Sequence, residues 1–292
     1  MEPATTELSF DVLVVEGTER HGDLKMPDGS PIVSSPCSCT LIMGERGAVL
    51  CDPPFTESQI AEVARWVEAS GRRLEAIYAT HGHGDHWFGA AALMSRFPGA
   101  VAYATTGTMD LMKQNLAMRE QFWDEQFPGQ IPDSPVVFDL APEAGIQLEG
   151  HSLIPIEVGH SDTDDTTVLH VPSIGLVVAG DVVYNGVHQM LLETGDGGFD
   201  AWMAAIDAVE ALEPRFVVAG HKNRDLPDDG RVFDATREYL EFTRELIERP
   251  VTPDVFYDEV TRRFPDHLNP GPVWYGGLAL LGGPSIVPPD ND

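Results

Sequence analysis

Residues 75–89 read EAIYATHGHGDHWFG, an apolar run that ends in His81, His83, Asp85 and His86 within six positions. Only 10 of the 292 residues are histidine, so three of them at one strand end need a reason. In extended backbone, residues two apart point the same way, which lets His81 and His83 offer their imidazoles to one cation. Gly82 and Gly84 keep the backbone there free of bulk. The chain then turns, so Asp85 and His86 can face a second, neighbouring position. Imidazole and carboxylate together suit zinc best, with iron, manganese or cobalt as alternatives.

Such a cluster constrains the fold, because one segment cannot fill two metal positions. Further ligands must reach the same edge from distant parts of the chain. Three candidates share one form: His160 in IEVGHSDTDD, Asp181 in LVVAGDVVYNG and His221 in FVVAGHKN each follow an apolar strand and a glycine. Gly159, Gly180 and Gly220 let the backbone turn there, so that each ligand projects from a sheet edge.

The rest of the pattern supplies the sheets. Short strands are predicted at 10–17, 39–45 and 47–52, then a helix over 56–71 with Ile60, Val63, Ala64 and Val67 on one face. Thr56 is its expected N-cap and Gly71 its stop. A strand over Ala76–Ala79 leads into the histidines, and a second helix is expected to begin near Trp87. Further on, TVLHVPS and GLVVAGD form a hairpin around Pro172–Gly175. An amphipathic helix places Trp202, Ala205, Ile206 and Val209 together, and RFVVAGH is a buried strand. Strand-rich blocks followed by a helix thus occur twice. That predicts an α/β chain folded as an αββα four-layer sandwich, two mixed sheets face to face with helices outside. Residues 1–250 would form the catalytic domain, with a Met- and aromatic-rich helical insert at 105–130. Residues 251–292 would form a helical and loop extension packed on it, ending in a loose Gly- and Pro-rich tail.

Charge and cysteine content narrow the function. The net charge is -29, which repels phosphate backbones and anionic membranes, so neither nucleic acid nor a membrane is an expected partner. No run of 18 apolar residues is present, and the N-terminus lacks a basic segment followed by an apolar one. Cys37, Cys39 and Cys51 are too few and too oddly spaced for a disulfide framework and read as small hydrophobes on strands. These features together predict a cytoplasmic location.

From about residue 10 to 225 the chain resembles the metallo-β-lactamase-fold hydrolases, through THGHGDH, then GHS, GD and GH. The resemblance implies an αβ/βα sandwich with a metal groove along one edge. It implies that His81, His83 and His160 hold a first zinc ion and that Asp85, His86 and His221 hold a second. Asp181 would bridge them, and Asp52 would support the histidine cluster from behind. A carboxylate at 181 is similar to the lactonase, glyoxalase II and phosphodiesterase branches; the acidic surface disfavours the branch acting on RNA. Two bridged ions would share a water and lower its pKa toward neutrality, giving a hydroxide that attacks a carbonyl. Asp85 would orient the nucleophile or shuttle its proton.

Tyr184, three residues after Asp181, resembles the carbonyl-binding tyrosine of acyl-homoserine lactonases, or else it packs on the sheet edge. Ser161 and its acidic neighbours either orient His160 or form a solvated loop. Met112, Trp123, Trp274 and His188 are candidates for a substrate pocket, ordinary packing being the alternative for each. Lys222 is the only basic residue close to a ligand motif, which disfavours a grip on glutathione carboxylates. The expected activity is hydrolysis of a small ester or lactone. A β-lactam, a glyoxalase II-type thioester, and a non-hydrolytic metal-binding or redox role are the alternatives. The partner is a small molecule, and a homodimer is left open.

Overall fold

The computed structural model describes residues 7–133, 138–195 and 197–282. Six strands form one sheet in chain order: β1 (Ser9–Val15), β2 (Cys37–Met43), β3 (Gly47–Cys51), β4 (Arg73–Tyr78), β5 (Val101–Ala104) and β6 (Asp139–Leu140). β1, β2 and β3 pair antiparallel, and β3 to β6 pair parallel. The second sheet comprises β7 (Ile146–Leu148), β8 (His151–Gly159), β9 (Thr166–Val171), β10 (Leu176–Asn185) and β11 (Phe216–Lys222), in the order β11-β10-β9-β8-β7. Only its β10–β11 pair is parallel.

The alternation of side chains along each strand builds four layers. Leu41 and Leu50 face a core shared with α1 (Glu57–Ala69), α2 (Ala90–Arg96), α3 (Thr106–Ala117) and α4 (Arg119–Gln126). Their neighbours Ile42, Val49 and Cys51 face the other way, onto Leu169, Val171, Leu176 and Val178 of the second sheet. On that sheet's far side, Val177, Ala179, Val217 and Ala219 pack with α5 (Gly198–Glu210), α6 (Arg231–Ile247) and α7 (Pro253–Arg263). This is the αββα sandwich that the repeated strand–helix pattern demands.

Several element ends follow from local chemistry. Thr56 caps α1 with a reciprocal capping box: its hydroxyl accepts from the Gln59 N–H, and the Gln59 amide oxygen accepts from the Thr56 N–H. The histidine-bearing segment departs from expectation. No α-helix starts at Trp87; a single 3-10 turn, Gly84–His86, comes first and α2 begins at Ala90. Trp87 and Phe88 are buried, and the Trp87 indole N–H donates to the Gly82 carbonyl at 2.9 Å, so this stretch is tied down by packing. The 105–130 insert resolves into α3 and α4, with Thr105 capping the first.

The Gly- and Pro-rich segment holds a further helix, α8 (Gly271–Leu280), with prolines only at its start, where a missing N–H is harmless. Val273 joins the core of the second sheet, and Gly277 lets Phe256 of α7 approach closely. The loose tail expected beyond this helix lies outside the described residues. Among the described residues no helix is long and apolar enough to cross a membrane.

Candidate metal centre

The segment after β4 is aimed by a relay of hydrogen bonds that starts at Asp52. This aspartate is fully buried at the end of β3 with φ of 55°, and its carboxylate accepts from the Thr80 N–H at 2.8 Å and the Thr80 hydroxyl at 3.0 Å. With that hydroxyl proton spent, Thr80 Oγ1 accepts from His81 Nδ1 at 3.0 Å. The His81 tautomer is thereby set, and its Nε2 is left buried with no hydrogen-bond partner. The second Asp52 oxygen also lies 3.5 Å from His86 Nδ1. Asp52 therefore supports two histidines from behind.

Asp181 and His221 arrive from the other sheet. Gly180 has φ of +50°, a left-handed conformation that an L side chain resists, and a Cβ there would collide with Thr80 Oγ1. The register of β10 against β11 slips on both sides of Gly180, and this irregularity turns Asp181 toward the histidines. Gly220 serves differently from the sequence expectation. Its φ is not positive; a Cβ at 220 would run into Asp181 Oδ1. The glycine gives room, not a turn. His221 Nδ1 donates to the Pro36 carbonyl at 2.8 Å, so its Nε2 faces inward, 3.0 Å from Asp181 Oδ2 and 3.7 Å from Asp85 Oδ2. Asp181 Oδ1 lies 3.4 Å from His86 Nε2, and its Oδ2 accepts from the Tyr184 hydroxyl at 2.7 Å.

Charge is balanced tightly here. Burial opposes ionisation of Asp181, but His221 and His86 outweigh it and hold the carboxyl well below its usual range. Burial likewise disfavours a charged His86, yet Asp181 and Asp85 overcome this and lift it to about 10. Buried His81, crowded by His86, is driven down. The carboxylates thus require a cation beside them, and the imidazoles supply one. A divalent ion would supply the same charge and would also satisfy the unpartnered atoms His81 Nε2, His86 Nε2 and Asp181 Oδ1, with His86 Nδ1 left facing Asp52. Among the described residues, His81–His86–Asp181, His81–His83–Asp162 and Cys37–His86–His221 each bring ligand atoms within 4.8 Å of one another. Four imidazoles with carboxylates are a donor set that fits zinc and similar divalent ions.

Residues 33–221 match the family model described as the metallo-beta-lactamase superfamily. The chain belongs to the metallo-beta-lactamase superfamily. Solved structures of the superfamily share the fold at low identity. A metallo-beta-lactamase from Pontibacter korlensis superposes with a TM-score of 0.57 at 19% identity, covering 79% of this chain and 99% of that one. The FIM-1 metallo-beta-lactamase of Pseudomonas aeruginosa, in its mono-zinc form, superposes with a TM-score of 0.55 at 20% identity, covering 81% and 92%. By sequence, the hydroxyacylglutathione hydrolase of Francisella tularensis subsp. holarctica is 35% identical over 80 residues, which are 27% of this chain and 30% of the relative. The match spans under a third of that relative's length.

Six of the ligand candidates, His81, His83, Asp85, His86, Asp181 and His221, lie side by side in the structure. His160 does not join them. Its Nδ1 pairs with Asp164 Oδ1 at 2.7 Å, and its Nε2 is turned toward the start of α5, where a Cβ on Gly198 would lie 2.9 Å away. Asp162, two residues on, stands beside His83 instead, with 3.0 Å between Oδ2 and Nδ1. Ser161 donates to Asp162 Oδ1 at 3.2 Å.

The centre opens into a cavity of about 440 Å³. Trp123 lines it with Leu111, Met118, Phe122 and Phe127, as does Tyr184. Met112, His188 and Trp274 do not. Met112 turns from the cavity into the α3 core, and the Trp274 indole donates outward to the Lys25 carbonyl, leaving its neighbour Tyr275 to face the cavity. Arg20, unremarked in the sequence, is the only arginine or lysine that lines the cavity among the described residues. It has no carboxylate partner among the described residues. Its guanidinium donates to Gln126 Oε1 at 2.8 Å and Tyr275 Oη at 3.4 Å, and stacks 4.7 Å from the Tyr275 ring centroid.

His188 is buried beside Tyr239 and His267, its Nδ1 3.0 Å from Tyr239 Oη. Burial, then His267, pushes its pKa down to about 3. The folded chain therefore keeps His188 neutral where the unfolded chain takes up a proton. Stability from this group is complete above the ordinary histidine range and is lost as pH falls from about 6.5 toward 3, at up to about 1.4 kcal/mol per pH unit. In His188→Gln, urea unfolding of the chelator-treated protein at pH 7.5, 6 and 5 should show a shallower acid decline. An unchanged slope would assign the acid sensitivity elsewhere.

Proposed function

We propose that this superfamily member is a metal-dependent hydrolase that cleaves the ester or lactone bond of a small substrate with an apolar body and an anionic end. The observation that carries this reading is the convergence of Asp85, Asp181, Tyr184 and His221 on a cavity with one aromatic and aliphatic wall (Leu111, Met118, Phe122, Trp123 and Phe127), where Arg20 is the one arginine or lysine among the described lining residues. His81, His83, His86 and His221, with Asp85 and Asp181, would hold two divalent ions, zinc being the metal that the donor set suits best. Bound there, such ions supply Lewis acidity, which acidifies a water and polarises the carbonyl under attack.

The protein's own groups do the rest. Asp85, about one-fifth exposed, faces the cavity within 3.7 Å of His221 Nε2, where its free oxygen can accept the nucleophile's proton. Burial, then the charge of Asp181, holds the Tyr184 hydroxyl well above its ordinary pKa. It stays protonated, and its one O–H, donated to Asp181 Oδ2 in the free protein, would turn from that carboxylate to the oxygen that gains charge as the carbonyl is attacked. The aromatic wall of α4 excludes water and receives the apolar part of the substrate. Arg20, preorganised by Gln126 and Tyr275, keeps donors free for a carboxylate.

A thioester of the hydroxyacylglutathione type is the second reading, favoured by the 80-residue likeness and compatible with an anionic end at Arg20. Zinc-supplemented protein tested against carboxylate-bearing esters, lactones, thioesters and a β-lactam should turn over an ester or lactone fastest. No hydrolysis of any acyl substrate would defeat the proposal. In Arg20→Ala, KM for the anionic substrate should rise about 10- to 100-fold, the worth of one charged hydrogen-bonded contact, with kcat little changed. The matched neutral ester should not notice the substitution; equal losses on both would remove Arg20 from recognition.

A further inference from the structure

We infer that Asp162, and not His160, is the third protein ligand of the ion held by His81 and His83. The inference rests on the metal centre proposed above and departs from the three-imidazole set that the GHS motif suggests. Its ground is the juxtaposition of one carboxylate and two imidazoles. The ligand atoms of His81, His83 and Asp162 lie within 4.8 Å of one another, and Asp162 Oδ2 is 3.0 Å from His83 Nδ1. Donors about 2 Å from a shared ion must sit at separations of this order.

Asp162 is 1% exposed, and among the described residues the one polar group that faces its Oδ2 is His83 Nδ1, at 3.0 Å. A carboxylate buried in this way is costly unless a cation faces it. Its other oxygen accepts from the Ser161 hydroxyl. Thr166 Oγ1 lies 2.9 Å from the Ser161 hydroxyl and 3.0 Å from the Thr163 carbonyl, so its one proton goes to one of these two acceptors. The loop is therefore rigid, and it presents Oδ2 on a fixed support. Residues two apart share a direction only in extended backbone, and this loop is not extended: the Ser161 N–H donates to the Thr163 carbonyl at 2.8 Å. The turn brings Asp162 against His83 and leaves His160 with its Nδ1 paired with the exposed Asp164 and its Nε2 beside Gly198, buried and without a hydrogen-bond partner, so the two side chains differ in their distance to His81 and His83 and not in being unpaired.

Glu193 extends the same character. Its Oε1 is 3.3 Å from His83 Nε2 at the cavity mouth, so this half of the centre is faced by two carboxylates and two imidazoles. Replacing an imidazole with a carboxylate adds negative charge and hardens the donor set. The site should accept manganese and iron(II) more readily than a three-histidine site does.

The test is metal content after equilibrium dialysis of the full chain at defined free zinc and free manganese, read by elemental analysis. Cobalt(II) absorption spectra and circular dichroism accompany it. Asp162→Ala and the near-isosteric Asp162→Asn should each lose about one metal equivalent per chain while remaining folded. Their affinity should fall by more than the 10- to 100-fold typical of a residue that only supports a ligand. His160→Ala should keep its full complement and an unchanged cobalt spectrum. Asp162→His should restore zinc but lose manganese. Retention of metal by both Asp162 variants, or loss of the same equivalent in His160→Ala, would overturn the assignment. Wild-type protein that binds metal but hydrolyses nothing would defeat the proposed activity and leave this ligand set standing. Wild-type protein that binds no metal at all would defeat both.

Discussion

Asp181→Asn is expected to lower kcat/KM by about a thousandfold or more while leaving the fold intact. Asp181 is 1% exposed, with Oδ1 3.4 Å from His86 and Oδ2 3.0 Å from His221, and its carboxylate lies within 4.8 Å of the ring nitrogens that His81 and His86 offer. Asparagine has nearly the same shape, so the packing around Gly180 and Gly220 survives. What is lost is one negative charge and one of two acceptor oxygens, in a buried site where such terms are large. The amide would turn an N–H₂ toward groups that now face a carboxylate. Removing a single preorganised electrostatic group already costs about 10²- to 10³-fold in other enzymes, and here metal affinity falls with it. The checks are kcat/KM and metal per chain, with circular dichroism as a control for folding. Near-normal turnover in this variant would exclude Asp181 from the reaction.

Tyr184→Phe should lower kcat about a hundredfold and change KM by less than about threefold, the signature of a contact made mainly in the transition state. The hydroxyl is 2.7 Å from Asp181 Oδ2, lines the cavity, and keeps its proton through the working pH range because burial and Asp181 disfavour the phenolate. Two roles are separable here. If the hydroxyl reaches the substrate oxygen, kcat falls and the metal content stays whole. If it only positions Asp181, metal is lost together with rate. Unchanged kcat with unchanged metal would return Tyr184 to simple packing against Trp202, whose ring centroid lies 6.2 Å away.

The contrast between these residues and Asp162 shows what sequence reasoning could reach. The four layers were legible because strand alternation and helical periodicity are local, and β2, β3, β9 and β10 carry them strongly. The histidine cluster was legible because four ligand-type residues in six positions have few other uses. The choice between His160 and Asp162 was not. It turns on whether the loop after Gly159 is extended or folded, and hydroxyl hydrogen bonds among Ser161, Thr163 and Thr166 decide that. Arg20 was missed because it lies in the irregular stretch between β1 and β2, and it reaches the cavity only through Gln126 and Tyr275, more than a hundred residues away in each case. α8 was hidden by its glycines and prolines, which disfavour a helix in isolation but allow close packing on α7 once the second sheet is formed. His188 followed a ligand motif closely enough to suggest the pocket, whereas burial against Tyr239 takes it elsewhere.

The most direct measurement is a zinc titration of chelator-stripped protein, with bound metal and hydrolysis of a carboxylate-bearing ester or lactone followed on the same samples. Activity should be absent at the start and rise in step with occupancy of the centre. It should be lost again on adding chelator, and stay absent in Asp181→Asn at saturating zinc. Hydrolysis that proceeds at full rate in the stripped protein, or that ignores occupancy, would contradict a metal-dependent reaction at this site.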